Sequence, residues 1–204
     1  EKGFVLGSEL AVEEGSVVEK NTRRILFSLM FPATLMPMVS TMSRVALPVI
    51  RGEFALSADM TSWVAVAFSL PFMILMPVYG RLSDGIDKRG LMLAGIGIFG
   101  GGTALTVWAP DLVWLMLGRA IQGFGIAGVM PLSMAMISEL FRPEVRGKAL
   151  GTWSSIGPSV GFIGPLGAGF LVAAWGWVGA FWPPLIVSVV AFLAVYWGIP
   201  KRKE

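Results

Sequence analysis

Six long apolar stretches constrain this chain more than any other feature of its sequence. They cover roughly residues 25–50, 61–82, 91–109, 112–138, 148–172 and 177–199. A helix needs about 20 apolar residues to cross a bilayer, and each stretch is close to that length. The stretches lack the strict alternation of a transmembrane β-barrel, and open strand edges cannot be satisfied in lipid. The sequence therefore predicts an all-α membrane protein with six transmembrane helices.

Composition supports this fold class and argues against several functions. Hydrophobic residues make up 55% of the 204 residues and charged residues 14%, which is too apolar for a soluble domain. The chain contains no histidine and no cysteine, so it lacks the commonest metal ligand, thiolate ligands and the usual acid–base groups. We therefore expect no enzyme, no catalytic residue, no metal site and no cofactor. The basic residues sit at helix ends, which indicates membrane topology rather than nucleic-acid binding.

These basic residues lie on one side of the predicted helices. They precede the first helix, occupy the turns between helices 2 and 3 and between helices 4 and 5, and follow the sixth helix. The opposite connections offer only Arg51, which lies beside acidic residues. By the positive-inside rule both termini are cytoplasmic, and the even number of spans agrees. We expect a cytoplasmic tail over 1–24, a bundle over 25–199 and the start of a cytoplasmic linker over 200–204, in the plasma (inner) membrane.

Several motifs in fixed order resemble one transporter family. The turn between helices 2 and 3 reads GRLSDGIDKRG over 80–90, and its Gly-x-Leu-x-Asp order resembles the signature loop of the major facilitator superfamily. LGRAIQGFGIAG (117–128) and GFIGPLGAGF (161–170) resemble the superfamily's Arg-x-x-Gln-Gly-x-Gly pattern and the Gly-Pro motif of its antiporters. VALP (45–48) and WGWVGAFWPP (175–184) are similar to segments of drug:proton antiporters. The chain thus resembles the N-terminal six-helix half of a multidrug efflux transporter.

The resemblance implies a gating role for residues 80–90, here called the gating turn. Its candidate residues, including one from the cytoplasmic end of helix 4, are Gly80, Arg81, Asp84, Arg89 and Glu139. Gly80 would allow a close helix approach, and Asp84 would meet the positive end of a helix in the other half of the transporter. Arg89 or Arg81 would pair with Glu139, and these contacts would hold the cytoplasmic side closed. The alternative is a simple positive-inside loop with a helix N-cap at Asp87 or Asp84.

Helix 5 is expected to pack closely and to bend. The residues assigned to the antiporter motif by resemblance are Gly161, Gly164, Pro165 and Gly169. Small residues from Gly157 to Ala168 share one stripe, on which another backbone can pack. Pro158 and Pro165 remove backbone donors and favour a bend.

Two arginines lie within the predicted spans, Arg44 on helix 1 and Arg119 on helix 4. Each costs about 2.5–3.5 kcal/mol near a helix centre, so each should face a water-filled cavity or a partner. The resemblance implies that both helices line one central cavity. The candidate residues of the substrate and proton pathway are Arg44, Arg119, Gln122, Thr41, Met38 and Met130. The alternatives are that Arg44 snorkels to the outer surface and that Arg119 bonds a neighbouring helix's carbonyls.

The resemblance implies a secondary transporter of small organic compounds that works by proton-coupled efflux. Related antiporters often carry an acid in helix 1 where this chain has Val39, and no acid lies deep in the six stretches. An organic-anion carrier using Arg44 and Arg119 therefore stays open, as does a non-transporting membrane scaffold or sensor. The expected partners are a small-molecule substrate, protons, the lipid bilayer and a second six-helix half, from the same chain or a second copy.

Overall fold

The computed structural model describes the backbone of residues 2–199 and the side chains of residues 23–199. Its helices are α1 (Lys2–Glu53), α2 (Ala58–Gly85), α3 (Lys88–Val107), α4 (Leu112–Ile126), α5 (Val129–Leu140), α6 (Pro143–Ser154), α7 (Ile156–Trp175) and α8 (Trp182–Gly198), with a 3-10 helix at Trp177–Ala180. The predicted tail over 1–24 falls on the start of α1, where only Arg23 and Arg24 have described side chains. The predicted linker start over 200–204 lies outside the described residues.

Six segments of the described chain are long and apolar enough to cross a membrane. Numbered as spans 1 to 6, they are Arg23–Glu53, Ala58–Gly85, Lys88–Val107, Leu112–Leu140, Pro143–Trp175 and Trp177–Gly198. The shortest contains 20 residues, which is about 30 Å of helix and matches the hydrocarbon core of a bilayer. The predicted all-α membrane fold with six spans is confirmed.

Three spans begin at side chains that cap the helix. Ser57, Asp87 and Asp111 each accept a hydrogen bond from the backbone N–H three residues further on. The first N–H groups of a helix have no partner within it, and these oxygens satisfy one of them. The three caps therefore fix where α2, α3 and α4 start.

Prolines break spans 4 and 5 into two helices each. Pro131 has no N–H to bond the carbonyl of Ala127, and the helical hydrogen bonding is interrupted there, between α4 and α5, although Ala127 and Gly128 keep helical backbone angles. The ring of Tyr79 packs into this break, because a Cβ on Gly128 would lie 2.5 Å from its Cδ1. The break between α6 and α7 likewise falls three residues before Pro158, one of the two prolines for which the sequence predicted a bend, whereas Pro165 lies inside α7.

Helix α4 lies between α2 and α3, while α1 packs against α7 and α8. Glycines bring α3 and α4 into backbone contact. A Cβ on Gly102 would lie 2.6 Å from the backbone nitrogen of Gln122, and one on Gly125 would lie 2.3 Å from that of Phe99. Because such contacts exclude any side chain, the two helices approach closely, and short polar side chains can bond from one helix to the other.

Two apolar clusters fill the bundle. Members of the first cluster include Ile25, Leu29, Leu35, Val39, Phe68, Tyr79, Met92, Phe99, Ile126 and Ile137. The second cluster comprises Met42, Ala46, Ile50, Val64, Val107, Leu115, Ala168, Trp177, Ala180 and Phe181. Along α1 the first cluster ends at Val39 and the second begins at Met42. The clusters therefore follow one another along the length of α1, and a residue between them lies inside the bundle.

Candidate transport pathway and gating turn

Arg119, on α4, is enclosed where the two apolar clusters meet, with 3% of its surface exposed. Its guanidinium carbon lies 4.7 Å from the ring centroid of Phe68 and 5.6 Å from that of Phe181. Phe68 belongs to the first cluster and Phe181 to the second. Each cation–π contact of this kind contributes about 0.5–2 kcal/mol, with the larger value at desolvated sites. The two rings thus stabilise a buried charge that no acidic side chain within residues 23–199 pairs with.

Polar contacts continue from Arg119 across to α3. Its Nη1 donates to Oε1 of Gln122 at 2.9 Å, and Nε2 of Gln122 donates to Oγ1 of Thr103 at 3.0 Å. Oγ1 of Thr103 donates in turn to the carbonyl of Phe99 at 2.8 Å. Gln122 and Thr103 are both fully buried. The three side chains form one continuous hydrogen-bonded series inside the bundle.

The structure shows which partners Arg119 uses. One sequence-based interpretation placed it beside a cavity, and the other gave it a bond to backbone carbonyls. Its hydrogen bond goes to the Gln122 side chain and not to a backbone carbonyl, and aromatic rings lie against its guanidinium. Sequence reasoning identified Gln122 but missed Phe68, Phe181 and Thr103. Phenylalanine is common in any apolar span, so Phe68 and Phe181 could not be singled out from the sequence. The one available signal was Thr103, a polar residue in a glycine-rich segment of helix 3 that could pack closely against another helix.

The other predicted pathway residues have more open surroundings. Arg44 is exposed and makes no hydrogen bond or ion pair to any side chain described. Met130 is 43% exposed, and Met38 packs at the edge of the second cluster. Thr41 lies against α7, because a Cβ on Gly164 would lie 3.0 Å from its methyl carbon. The structure therefore joins Arg119 to Gln122 and gives Arg44 a different environment.

The gating turn sends two consecutive cations to two different spans. Nζ of Lys88 lies 2.8 Å from Oε1 of Glu139 at the end of span 4. Arg89 donates to the carbonyl of Tyr196 near the end of span 6, and its guanidinium lies 5.2 Å from the centroid of the Tyr196 ring. Successive helical residues point about 100° apart, so neighbours at the start of α3 contact different helices. The turn thereby connects spans 2 and 3 to spans 4 and 6.

Two details of the predicted gating turn are wrong. The partner of Glu139 is Lys88, whereas the sequence pointed to Arg89 or Arg81. A Cβ added to Gly80 would have nothing within 4 Å in the described part of the chain, so the close approach expected there is not made. Asp84 and Arg81 are exposed, and the helix cap is provided by Asp87.

The antiporter motif on α7 is packed at one side only. Gly164 and Ala168 are buried against α1 and its neighbours, in part through the contact with Thr41. Gly161 and Gly169 are exposed, and a Cβ added to either would meet no described atom within 4 Å. Pro165 is exposed as well. Of the predicted small-residue stripe, Gly164 and Ala168 are therefore packed, whereas a Cβ added to Gly157 or Gly161 would meet no described atom within 4 Å.

Comparison with known sequences identifies one family. The family model described as Major Facilitator Superfamily matches residues 29–204. The multidrug resistance protein Stp of Mycobacterium tuberculosis is 34% identical over 154 residues, which are 74% of this chain and 28% of Stp. The multidrug transporter protein MdtP of Bacillus subtilis is 29% identical over 159 residues, which are 78% of this chain and 29% of MdtP. The chain thus spans about a third of the length of these relatives.

A solved structure gives the same fold. The crystal structure of the POT family transporter PepTSo superposes with a TM-score of 0.76 at 16% sequence identity. The superposition covers 89% of this chain and 39% of PepTSo. At this identity the likeness concerns the arrangement of the helices and not the substrate.

Proposed function

Because the chain belongs to the major facilitator superfamily, we propose that it forms the N-terminal half of a secondary active transporter that exports small organic compounds. Transport would proceed by alternating access, with protons moving in the opposite direction. Relatives named for multidrug resistance and multidrug transport support export of varied compounds. The carried compound would contact the open residues Thr41, Met38, Arg44 and Met130, where unbranched methionines adapt to different shapes.

A second six-helix half is part of the proposal. Spans 2 and 5 present large apolar side chains outward, among them Met73 at 70% exposure and Phe162 at 82%. The chain covers about a third of its relatives, which supports a second half from the same polypeptide, and a second copy of this chain is the alternative. The central cavity would form between the two halves, beside the exposed Arg44.

The contact between Lys88 and Glu139 is the observation that best supports a gating mechanism. It joins the turn between spans 2 and 3 to the end of span 4 at 2.8 Å, and the Lys88 side chain is only 12% exposed. Both residues belong to this half, so the pair would stay intact when the halves rock. It would hold the gating turn against the end of span 4, in position to close against the second half and to part from it during rocking. Exposed Asp84 is free to meet a helix terminus of the second half.

The proposed location is the plasma (inner) membrane, with both termini in the cytoplasm. The basic residues of the gating turn and of the connection between spans 4 and 5 support this orientation. Arg81, Lys88 and Arg89 lie on one connection, and Arg142, Arg146 and Lys148 on the other. Both connections would then face the cytoplasm, and the gating turn would close the inner side.

Flux measurements test the proposal. The full transporter that carries this chain is reconstituted into liposomes, with ethidium as a cationic probe and carboxyfluorescein as an anionic one. We expect ethidium to move against an imposed proton gradient and to stop when the gradient is collapsed. Preference for carboxyfluorescein would replace this proposal with the organic-anion carrier. Absence of flux for either probe, from protein that is folded in the liposomes, would favour a scaffold or sensor.

A further inference from the structure

Thr103 is the only member of the buried hydrogen-bonded series that lies outside α4. It stands on α3, is fully buried, and its hydroxyl both accepts and donates. The proton of the hydroxyl goes to the carbonyl of Phe99. Oγ1 therefore meets Gln122 as an acceptor.

This arrangement selects one orientation of the Gln122 side-chain amide. An amide presents an acceptor at one end and two donors at the other. Because Thr103 offers an acceptor, the NH2 end of Gln122 points to α3, and Oε1 points to Arg119. The opposite orientation would direct the NH2 donor at the guanidinium, which has no acceptor. In a buried setting such a mismatch leaves polar groups unsatisfied, which is strongly unfavourable.

The guanidinium of Arg119 depends on that acceptor. Its Nε has no hydrogen-bond partner among the described residues, and the rings of Phe68 and Phe181 constrain it through cation–π contacts. Such ring contacts are weakly directional compared with a hydrogen bond at 2.9 Å. Gln122 Oε1 therefore sets the direction in which the remaining N–H groups of Arg119 point.

We propose that Thr103 is a positioning residue of the transport pathway, which acts on Arg119 by fixing the amide of Gln122. The inference deepens the proposed function and rests on it. When the bundle rearranges during transport, Arg119 would have to present its N–H groups to the transported compound in one fixed geometry. Thr103, on a helix that lies behind α4, keeps that geometry without touching the transported compound.

The same helix provides a matched control. Thr106, three residues further along α3, is also fully buried, and its Oγ1 donates to the carbonyl of Gly102 at 2.9 Å. Replacing either threonine by valine keeps the shape, removes one hydroxyl and removes one bond to a backbone carbonyl. Only Thr103→Val also removes the acceptor of Gln122. Thr103→Ser restores a hydroxyl at the same position.

The experiment measures ethidium flux in proteoliposomes at saturating dye, with each variant normalised to folded transporter. Leaving the buried NH2 group of Gln122 without its acceptor predicts a fall in maximal rate of about tenfold for Thr103→Val. Thr106→Val should stay within about twofold of the unsubstituted protein, and Thr103→Ser should recover most of the rate. In a Gln122→Leu background, Thr103→Val should cause no further loss, because the two residues act in series.

Three results would overturn the inference while leaving the transporter assignment intact: a normal rate for Thr103→Val, an equal loss for Thr106→Val, or a Thr103→Ser variant as slow as Thr103→Val. If the valine variant does not fold, Thr103→Ala against Thr106→Ala makes the same comparison. Absence of ethidium flux in the unsubstituted transporter would instead refute the proposed function on which the inference rests.

Discussion

Replacing Gly123 by alanine should separate α2 from α4. Gly123 follows Gln122 on α4, and a Cβ there would lie 2.1 Å from the carbonyl oxygen of Phe68 and 3.3 Å from the backbone nitrogen of Phe72. Both atoms belong to the backbone of α2, so no side chain can turn away. Ordinary contact begins at 3.4 Å, and the helices must therefore move apart by about 1.3 Å, the difference between 3.4 and 2.1 Å.

The size of the effect follows from three contributions. Overpacking of this kind destabilises by about 1–3 kcal/mol. Moving Phe68 away from Arg119 weakens a cation–π contact of about 0.5–2 kcal/mol. The better helix propensity of alanine offsets up to about 1 kcal/mol. Taken at their midpoints, these contributions lower the free energy of unfolding by about 3 kcal/mol. At about 2–4 °C per kcal/mol for a chain of this size, the melting temperature falls by about 6–12 °C.

Gly101→Ala is the matched control for this substitution. Gly101 is an exposed helical glycine on α3, and a Cβ added there would have no described atom within 4 Å, so alanine changes helix propensity alone. The chain contains eight tryptophans, and their intrinsic fluorescence reports thermal unfolding of the purified transporter. If Gly123→Ala and Gly101→Ala melt at the same temperature, the close contact between α2 and α4 at Gly123 is wrong.

Two further predictions concern the gating turn and the enclosed arginine. Lys88→Glu should lower ethidium flux about fivefold or more, because it places two acids together. Adding Glu139→Lys should restore at least about half of the rate, because an exchanged ion pair keeps the contact. A double variant no better than the single one would show that the pair does not act in gating. Phe181→Leu should lower the melting temperature by about 3–6 °C. In an Arg119→Met background the same substitution should lower it clearly less, because the contact between the ring and the cation is already absent. Equal losses in both backgrounds would contradict a stabilising cation–π contact.

The six spans could be predicted from sequence because the requirement is one of length and solvent. An apolar run of about 20 residues has no better solution than a helix across the bilayer, and turns rich in charge must lie outside it. A helix start at Asp87 or Asp84 and an interruption near Pro158 were also readable, since a cap and a missing N–H act within a few residues of the chain. The link between Arg119 and Gln122 belongs to the same class, because residues three apart on a helix are neighbours.

The remaining contacts depend on how the helices are rotated against one another. A span that is apolar all round gives little indication of which side faces its neighbours, so Glu139 was assigned to Arg89 or Arg81 when Lys88 is the cation that faces it. For the same reason the sequence did not indicate the two rings beside Arg119, and the packing of α2, α4 and the start of α8 sets Phe68 and Phe181 against its guanidinium. The number and length of the membrane helices follow from hydrophobic length along the chain, whereas the packing of the helices sets which side chain meets each buried or terminal charge.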